Sequence, residues 1–220
     1  MLKMTLYTKT LIICIVLMPF IVTQSSNVIS VAGAQNPGNS LSLNETAGHA
    51  PNKENVTGSS MLSYVDKING ISIEYPPNWT FSTNGLPEYS QVVAFYSPLK
   101  NITDSIPARL SVSVLRFEQN VSLKDYTNLT LTSLNASQQF KVLNSGPTTL
   151  NGKPAYKITL STLPSMQSPL PFSVMQMWTA IGNKIYFLLY STESSKFYAS
   201  LPIVEGMIKS MKLDASDANR

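Results

Sequence analysis

Two side chains bound the chemistry this 220-residue chain can do: a single cysteine, Cys14, and a single histidine, His49. A Ser-His-Asp relay needs an imidazole to carry the proton, and zinc sites draw on Cys and His. Cys14 falls inside an apolar run, and His49 lies in a stretch almost without bulky apolar residues. Neither is set where a folded site would form. The carboxylates Asp66, Glu74, Asp104 and Asp125 are dispersed and make no Asp-x-Asp run, whereas calcium wants clustered oxygen ligands. No glycine-rich phosphate loop occurs, and no carboxylate spacing favours glycosidase chemistry. The expectation is a non-catalytic protein without a cofactor or metal set by its own motifs. A hydrolase ranks last of the functions weighed below.

Other residue types do recur at spacings with a chemical meaning. The acceptor pattern Asn-X-Ser/Thr stands at Asn44, Asn55, Asn78, Asn101, Asn120, Asn128 and Asn135, which points to covalently attached glycans on a secreted chain. A Ser/Thr/Asn-rich sequence makes some of these by chance, so part of the set is expected to stay unused. Aromatic residues are numerous and are expected mainly in the core. Trp178 and Tyr96, with the soft side chain of Met166 in "MQSPLPFSVMQMW", are the candidates for a partner surface.

These residues must be carried outside the cytoplasm and then positioned. Lys3 and Lys9 precede the apolar run Leu11–Val22, and the small residues Ala32 and Ala34 follow. That is the layout of a signal peptide over residues 1–34, and the run is short for a membrane span. The predicted mature chain then lacks cysteine altogether, so disulfides and thiolate sites are excluded. Without Lys3 and Lys9 the formal charge is +2, and the charges are scattered. No basic block suggests nucleic acid. Residues 35–60 are rich in Asn, Gly, Ser and Pro and read as a disordered linker. Residues 61–213 are long enough for one domain, and 214–220 form a flexible tail.

Within that domain "ISIEY" (Ile71–Tyr75) alternates as a half-buried strand. Pro76-Pro77 ends it, since proline donates no ladder hydrogen bond, and Trp79 is expected beneath the turn as a core plug. "QVVAFYS" and "RLSVSVLRF" are the next strands. Ser122–Ser137 carries a helical stripe of Leu123, Tyr126, Leu129 or Thr130, and Leu134, with Ser122 as its cap. A hairpin turns at Asn151-Gly152, and a second turns at Gly182-Asn183. The closing segment repeats Phe197, Leu201, Val204, Ile208 and Met211 at helical spacing, with a break expected at Pro202 near Leu201.

In this order the segments "NGISIEYPPNW", "RLSVSV", "SLKDYTNLTL", "LNGKPAYKITLS", "WTAIGNKIYFLLYST" and "FYASLPIVEGMIKSM" resemble the PsbP family, over roughly Tyr64–Leu213. With its signal and sequons the chain looks like the secreted PsbP-domain proteins of ammonia-oxidising archaea. The resemblance implies an α+β fold: an α/β/α sandwich with one central antiparallel sheet flanked by helices. It allows calcium, chloride or manganese, although the family's His ligands have no counterpart in this domain. It also implies an accessory protein, monomeric, secreted or at the cell surface, that docks to a membrane-associated or envelope protein complex. The alternative is an extracytoplasmic carrier of a small apolar molecule or lipid.

Overall fold

In this computed structural model the described residues are 60–84, 90–99, 106–137, 140–162 and 170–214. The expected signal segment, all but the edges of the linker and tail, and Asn44, Asn55, Asn101 and Met166 lie outside them.

Period-two burial marks the first strand read from sequence. Ile71, Ile73 and Tyr75 are buried while Ser72 and Glu74 between them are not, as a strand with one face on a core requires. This strand does not join the large sheet. With β1 (Leu62–Asp66) on one side and the two-residue β10 (Lys212–Leu213) on the other, β2 (Ile71–Tyr75) forms a separate three-stranded antiparallel sheet. After β2, the N–H of Trp79 donates to the Pro76 carbonyl at 2.9 Å and closes the proline turn. The turn sends the chain into a second, seven-stranded antiparallel sheet. Its members are β3 (Thr80–Ser82), β4 (Gln91–Tyr96), β5 (Arg109–Arg116), β6 (Phe140–Leu150), β7 (Lys153–Thr162), β8 (Phe172–Ile181) and β9 (Lys184–Glu193), in the order β3-β4-β5-β9-β8-β7-β6. The expectation of one central sheet is therefore corrected to two. The physical reason is the proline turn, which takes the chain out of the ladder of β2 and leaves that strand to partners from both ends of the domain.

Among the described residues, two α-helices complete this α+β fold. In α1 (Leu123–Ala136) the Ser122 hydroxyl accepts the Asp125 N–H at 3.0 Å, satisfying one of the free donors at the helix start. Its buried stripe is Tyr126, Thr127, Thr130 and Leu134. The second helix, α2 (Phe197–Ser210), buries Phe197, Val204, Met207 and Ile208 and runs unbroken through Pro202. This corrects the expected break. Pro202 and Tyr198 both lie on the exposed face, so the carbonyl of Tyr198 that loses its intrahelical donor can be hydrated instead.

Alternation sorts the core into two faces of the large sheet. Leu110, Val112, Met175, Met177, Tyr186, Leu188 and Tyr190 pack with the buried stripe of α2 and with Ile71, Ile73, Tyr75 and Leu213 of the small sheet. The opposite face carries Tyr156, Trp178 and Phe187, and α1 sits against it through Tyr126 and Thr127. Trp79 is buried in the core.

Candidate functional site

The residues predicted for a partner surface do not come together. Trp178 is fully buried. Its indole N–H donates to Thr127 Oγ1 at 3.0 Å, and its ring stacks on Phe187 at 6.1 Å between centroids. It is corrected to a core residue: α1 covers its face of β8 and supplies the one acceptor the indole needs. Tyr96 is half-buried on β4. It is separated from Trp178 by the two intervening strands β5 and β9. Met175 and Met177 are buried. Among the candidate glycan acceptors, Asn78, Asn120, Asn128 and Asn135 are exposed. The sequon of Asn128 lies inside α1, however, and its Thr130 is buried with its hydroxyl donating to the Tyr126 carbonyl at 2.9 Å.

A different place draws attention. Met61, Leu62, Val65 and Ile68 are all exposed apolar residues, and Ile68 is 80% exposed. Met61 immediately precedes β1, Leu62 and Val65 lie on it, and Ile68 is in the turn after it. Beside them opens a cleft of about 730 Å³ lined by Tyr64–Asn69, Thr83, Ser90–Val92, Val114 and Arg116. Sequence reasoning missed it because β1 was not assigned. The signals were present: Leu62, Tyr64 and Val65 are strand-forming residues, and Asn69-Gly70 is a hairpin dipeptide.

The turn that shapes the cleft is built by Asp66. Its Oδ1 accepts the N–H of Ile68 at 2.8 Å and of Asn69 at 3.1 Å, and its Oδ2 accepts Asn69 Nδ2 at 2.6 Å. Such a local cage is what Asp contributes to turns. Asn69 passes the connection on. Its Oδ1 accepts Arg116 Nη2 at 2.9 Å, and its carbonyl accepts the Tyr186 hydroxyl at 3.1 Å. At the far wall Ser90 holds φ at 49°, a left-handed conformation unusual for serine. The Ser90 carbonyl accepts the Val114 N–H at 3.0 Å, and a bulge follows between Gln91 and Val93. Burial, with a smaller push from the Asp66 carboxylate, raises the Tyr64 phenol above its ordinary value.

The cleft holds two cations, Lys67 and Arg116, and one carboxylate, Asp66. Both oxygens of that carboxylate are engaged within the turn. The charges of the lining therefore sum to one positive, beside the apolar residues Val65, Ile68, Val92 and Val114. The cleft does not fit a metal ion: no three His, Cys, Asp or Glu residues converge among the described residues, and the bonded carboxylate of Asp66 would have to give up its turn. Among the described residues, no helix is long and apolar enough to cross a membrane.

No protein-family model and no curated protein matches the chain. Solved structures do. LpqN of Mycobacterium tuberculosis, involved in cell envelope biogenesis, aligns at a TM-score of 0.52 and 12% identity, over 70% of this chain and 90% of that one. The cyanobacterial PsbP (CyanoP) of Synechocystis aligns at 0.49 and 17% identity, over 74% and 98%. The Ran-binding protein Mog1p of Saccharomyces cerevisiae aligns at 0.48 and 10%, over 72% and 98%. The likeness to LpqN is one of fold: a large antiparallel sheet with two helices.

Proposed function

We propose that this chain is a PsbP-like accessory domain, an α/β/α sandwich in its layering, that works outside the cytoplasm. In this reading it is a non-catalytic monomer that docks through its β1 end onto a membrane-associated or envelope protein complex. The observation that carries this reading is the group of exposed apolar residues Met61, Leu62, Val65 and Ile68 beside the open cleft. Several large apolar side chains left exposed on one short segment are what an interaction site presents. The ordered PsbP-like segments support the family. The signal layout and the exposed sequon residues Asn78, Asn120 and Asn135 support a glycosylated, extracytoplasmic protein. The role of LpqN in the cell envelope is in keeping with the same setting.

A carrier would keep its cavity between the sheet and a helix. At α2 that interface is filled by Phe197, Val204 and Met207 against Leu188 and Tyr190, and at α1 the buried Tyr126 ring packs on Trp178, so the docking reading is favoured. The test is site-specific photo-crosslinking in the full chain expressed in its native host. A crosslinker at Ile68 is expected to trap one recurrent protein of the membrane or envelope fraction, and one at Val142 is not. Free chain alone from both positions overturns the proposal.

A further inference from the structure

The cleft flanks the edge of β1, not one of its faces. Successive side chains of a strand point to opposite sides, so side chains lining a cavity on one face would come from Tyr64 and Asp66, with Val65 turned away. Tyr64, Val65 and Asp66 all line it in succession, and no residue of β2 does. The cleft therefore runs along the edge that β2 leaves free. Among the described residues, no backbone partner stands on that edge.

The other sheet edges are guarded. Proteins blunt an edge strand with Lys, Pro, bulges or short length. The edge strand β6 carries Lys141, Pro147 and a bulge between Val142 and Asn144. At the opposite edge β3 has three residues, and β10 has two. The five residues of β1 contain no proline, no lysine and no bulge, their one charge, Asp66, is bonded within the following turn, and they pair in unbroken register with β2. An unguarded edge bordered by exposed Leu62 and Val65 is a template for a further strand.

We propose that β1 takes an extended segment of a partner protein by strand addition, and that Lys67 and Arg116 receive a carboxylate of that segment. The inference rests on the docking reading above and specifies its chemistry. Backbone bonds to β1 supply the affinity and side-chain pockets the selectivity, as in other strand-addition complexes. The apolar side chains of the added strand would meet Val65, Val92 and Val114 in the cleft lining. One guanidinium N–H of Arg116 is held by Asn69, which fixes the group and leaves further donors of its planar fork for a carboxylate. The edge is five residues long, or about 17 Å at strand rise, so the occupant is a short segment. Its carboxylate belongs to an Asp or Glu side chain or to a chain terminus.

The experiment is a selection of random octapeptides displayed on phage against the full chain, followed by anisotropy titration of the selected peptide after synthesis. The expected peptides alternate β-branched residues and carry one acidic group. Replacing that acid by its amide, or making Arg116→Gln or Lys67→Gln in the chain, is expected to weaken binding about tenfold or more. Amidating the peptide C-terminus distinguishes a terminal carboxylate from a side chain. N-methylation of one alternating set of peptide residues should abolish binding, and methylation of the other set should not, because only one set faces β1. Hydrogen exchange of the chain should slow at Leu62–Asp66 on binding and stay unchanged in β6. Peptides without acidic groups, indifference to both methylation sets, or β1 amides already protected in the free chain by its own N-terminal segment or a second copy each overturn the proposal. If no peptide is selected while the Ile68 crosslink persists, strand addition fails and docking stands.

Discussion

Trp178 shows how far a single residue type can be read. A tryptophan after two methionines suggests an adaptable surface, yet burial on both sides of β8 erases the alternation that would tell inside from outside. The helix that covers it lies about fifty residues earlier in the chain, and no local pattern announces that contact. The indole–Thr127 bond makes a sharp prediction. Thr127→Val keeps the shape but strands a buried N–H, which costs about 1–3 kcal/mol, so the urea midpoint should fall with an unchanged slope. Trp178→Ala should cost about 3–5 kcal/mol. A second prediction concerns alkaline pH. Burial pushes the Tyr190 phenol up to about 12, and its O–H donates to the Phe197 carbonyl at 3.0 Å. An unfolded tyrosine ionises near ~10, so the folded chain keeps a proton that the unfolded chain releases. The stability from this neutral phenol is complete below about pH 10 and is lost as pH rises toward about 12. Burial raises the Tyr126 phenol too and acts in the same direction. Urea midpoints should decline above about pH 10, and less steeply in Tyr190→Phe; equal slopes in the two proteins would count against burial as the cause.

Elements with local signals were the legible ones. The hairpin β6–β7 turns at Asn151-Gly152, with φ of 50° and 70°, as a two-residue loop of the I′ class demands. The β8–β9 hairpin places Gly182 at φ of 60°, and α1 starts at the expected cap. The stripes of α1 and α2 were read nearly in full: of the alternatives Leu129 and Thr130 it is Thr130 that is buried, Thr127 joins it while Leu123 is only half-buried, and Met207 takes the place of Leu201. Three glycines turn this into a graded test. A Cβ at Gly152 meets nothing within 4 Å, so Gly152→Ala costs only the left-handed backbone, about 1–2 kcal/mol. At Gly70, with φ of 65°, a Cβ would stand 2.7 Å from the Asp214 carbonyl oxygen. The nearby Asp214 N–H donates to the Gly70 carbonyl at 2.8 Å, so Gly70→Ala adds a backbone clash to the same strain and must cost more. Gly206 sits within α2 with open space around it. There Gly206→Ala should stabilise by about 0.5–1 kcal/mol. Thermal melts of the three variants should rank Gly206→Ala above the parent, then Gly152→Ala, then Gly70→Ala.

At the scale of the molecule the sequence was least informative, because the small sheet is assembled from both ends of the domain. Lys212 and Leu213 pair with Ser72 and Ile71, and a two-residue strand has no periodicity to detect. The cleft inherits this difficulty: its walls come from β1, β4 and β5, and only their packing reveals that Lys67 and Arg116 share a rim. The small sheet is bound to the large one by the aromatic contacts of Tyr64 and Tyr75 with Phe81 and Phe95 and by the hydrogen bonds that converge on Asn69. Native proteins open locally where few buried contacts hold a segment, and β1, largely exposed, is such a segment. Asn69→Ala removes the links from its side chain to Asp66 and Arg116, leaving the core of β8 and β9 untouched. Native-state hydrogen exchange should then accelerate about tenfold at Leu62–Asp66, the effect of roughly 1.4 kcal/mol, with β8 and β9 unchanged. Uniform acceleration throughout would mean that the two sheets open as one cooperative unit. The edge of β1 could not then respond to a partner independently of the core.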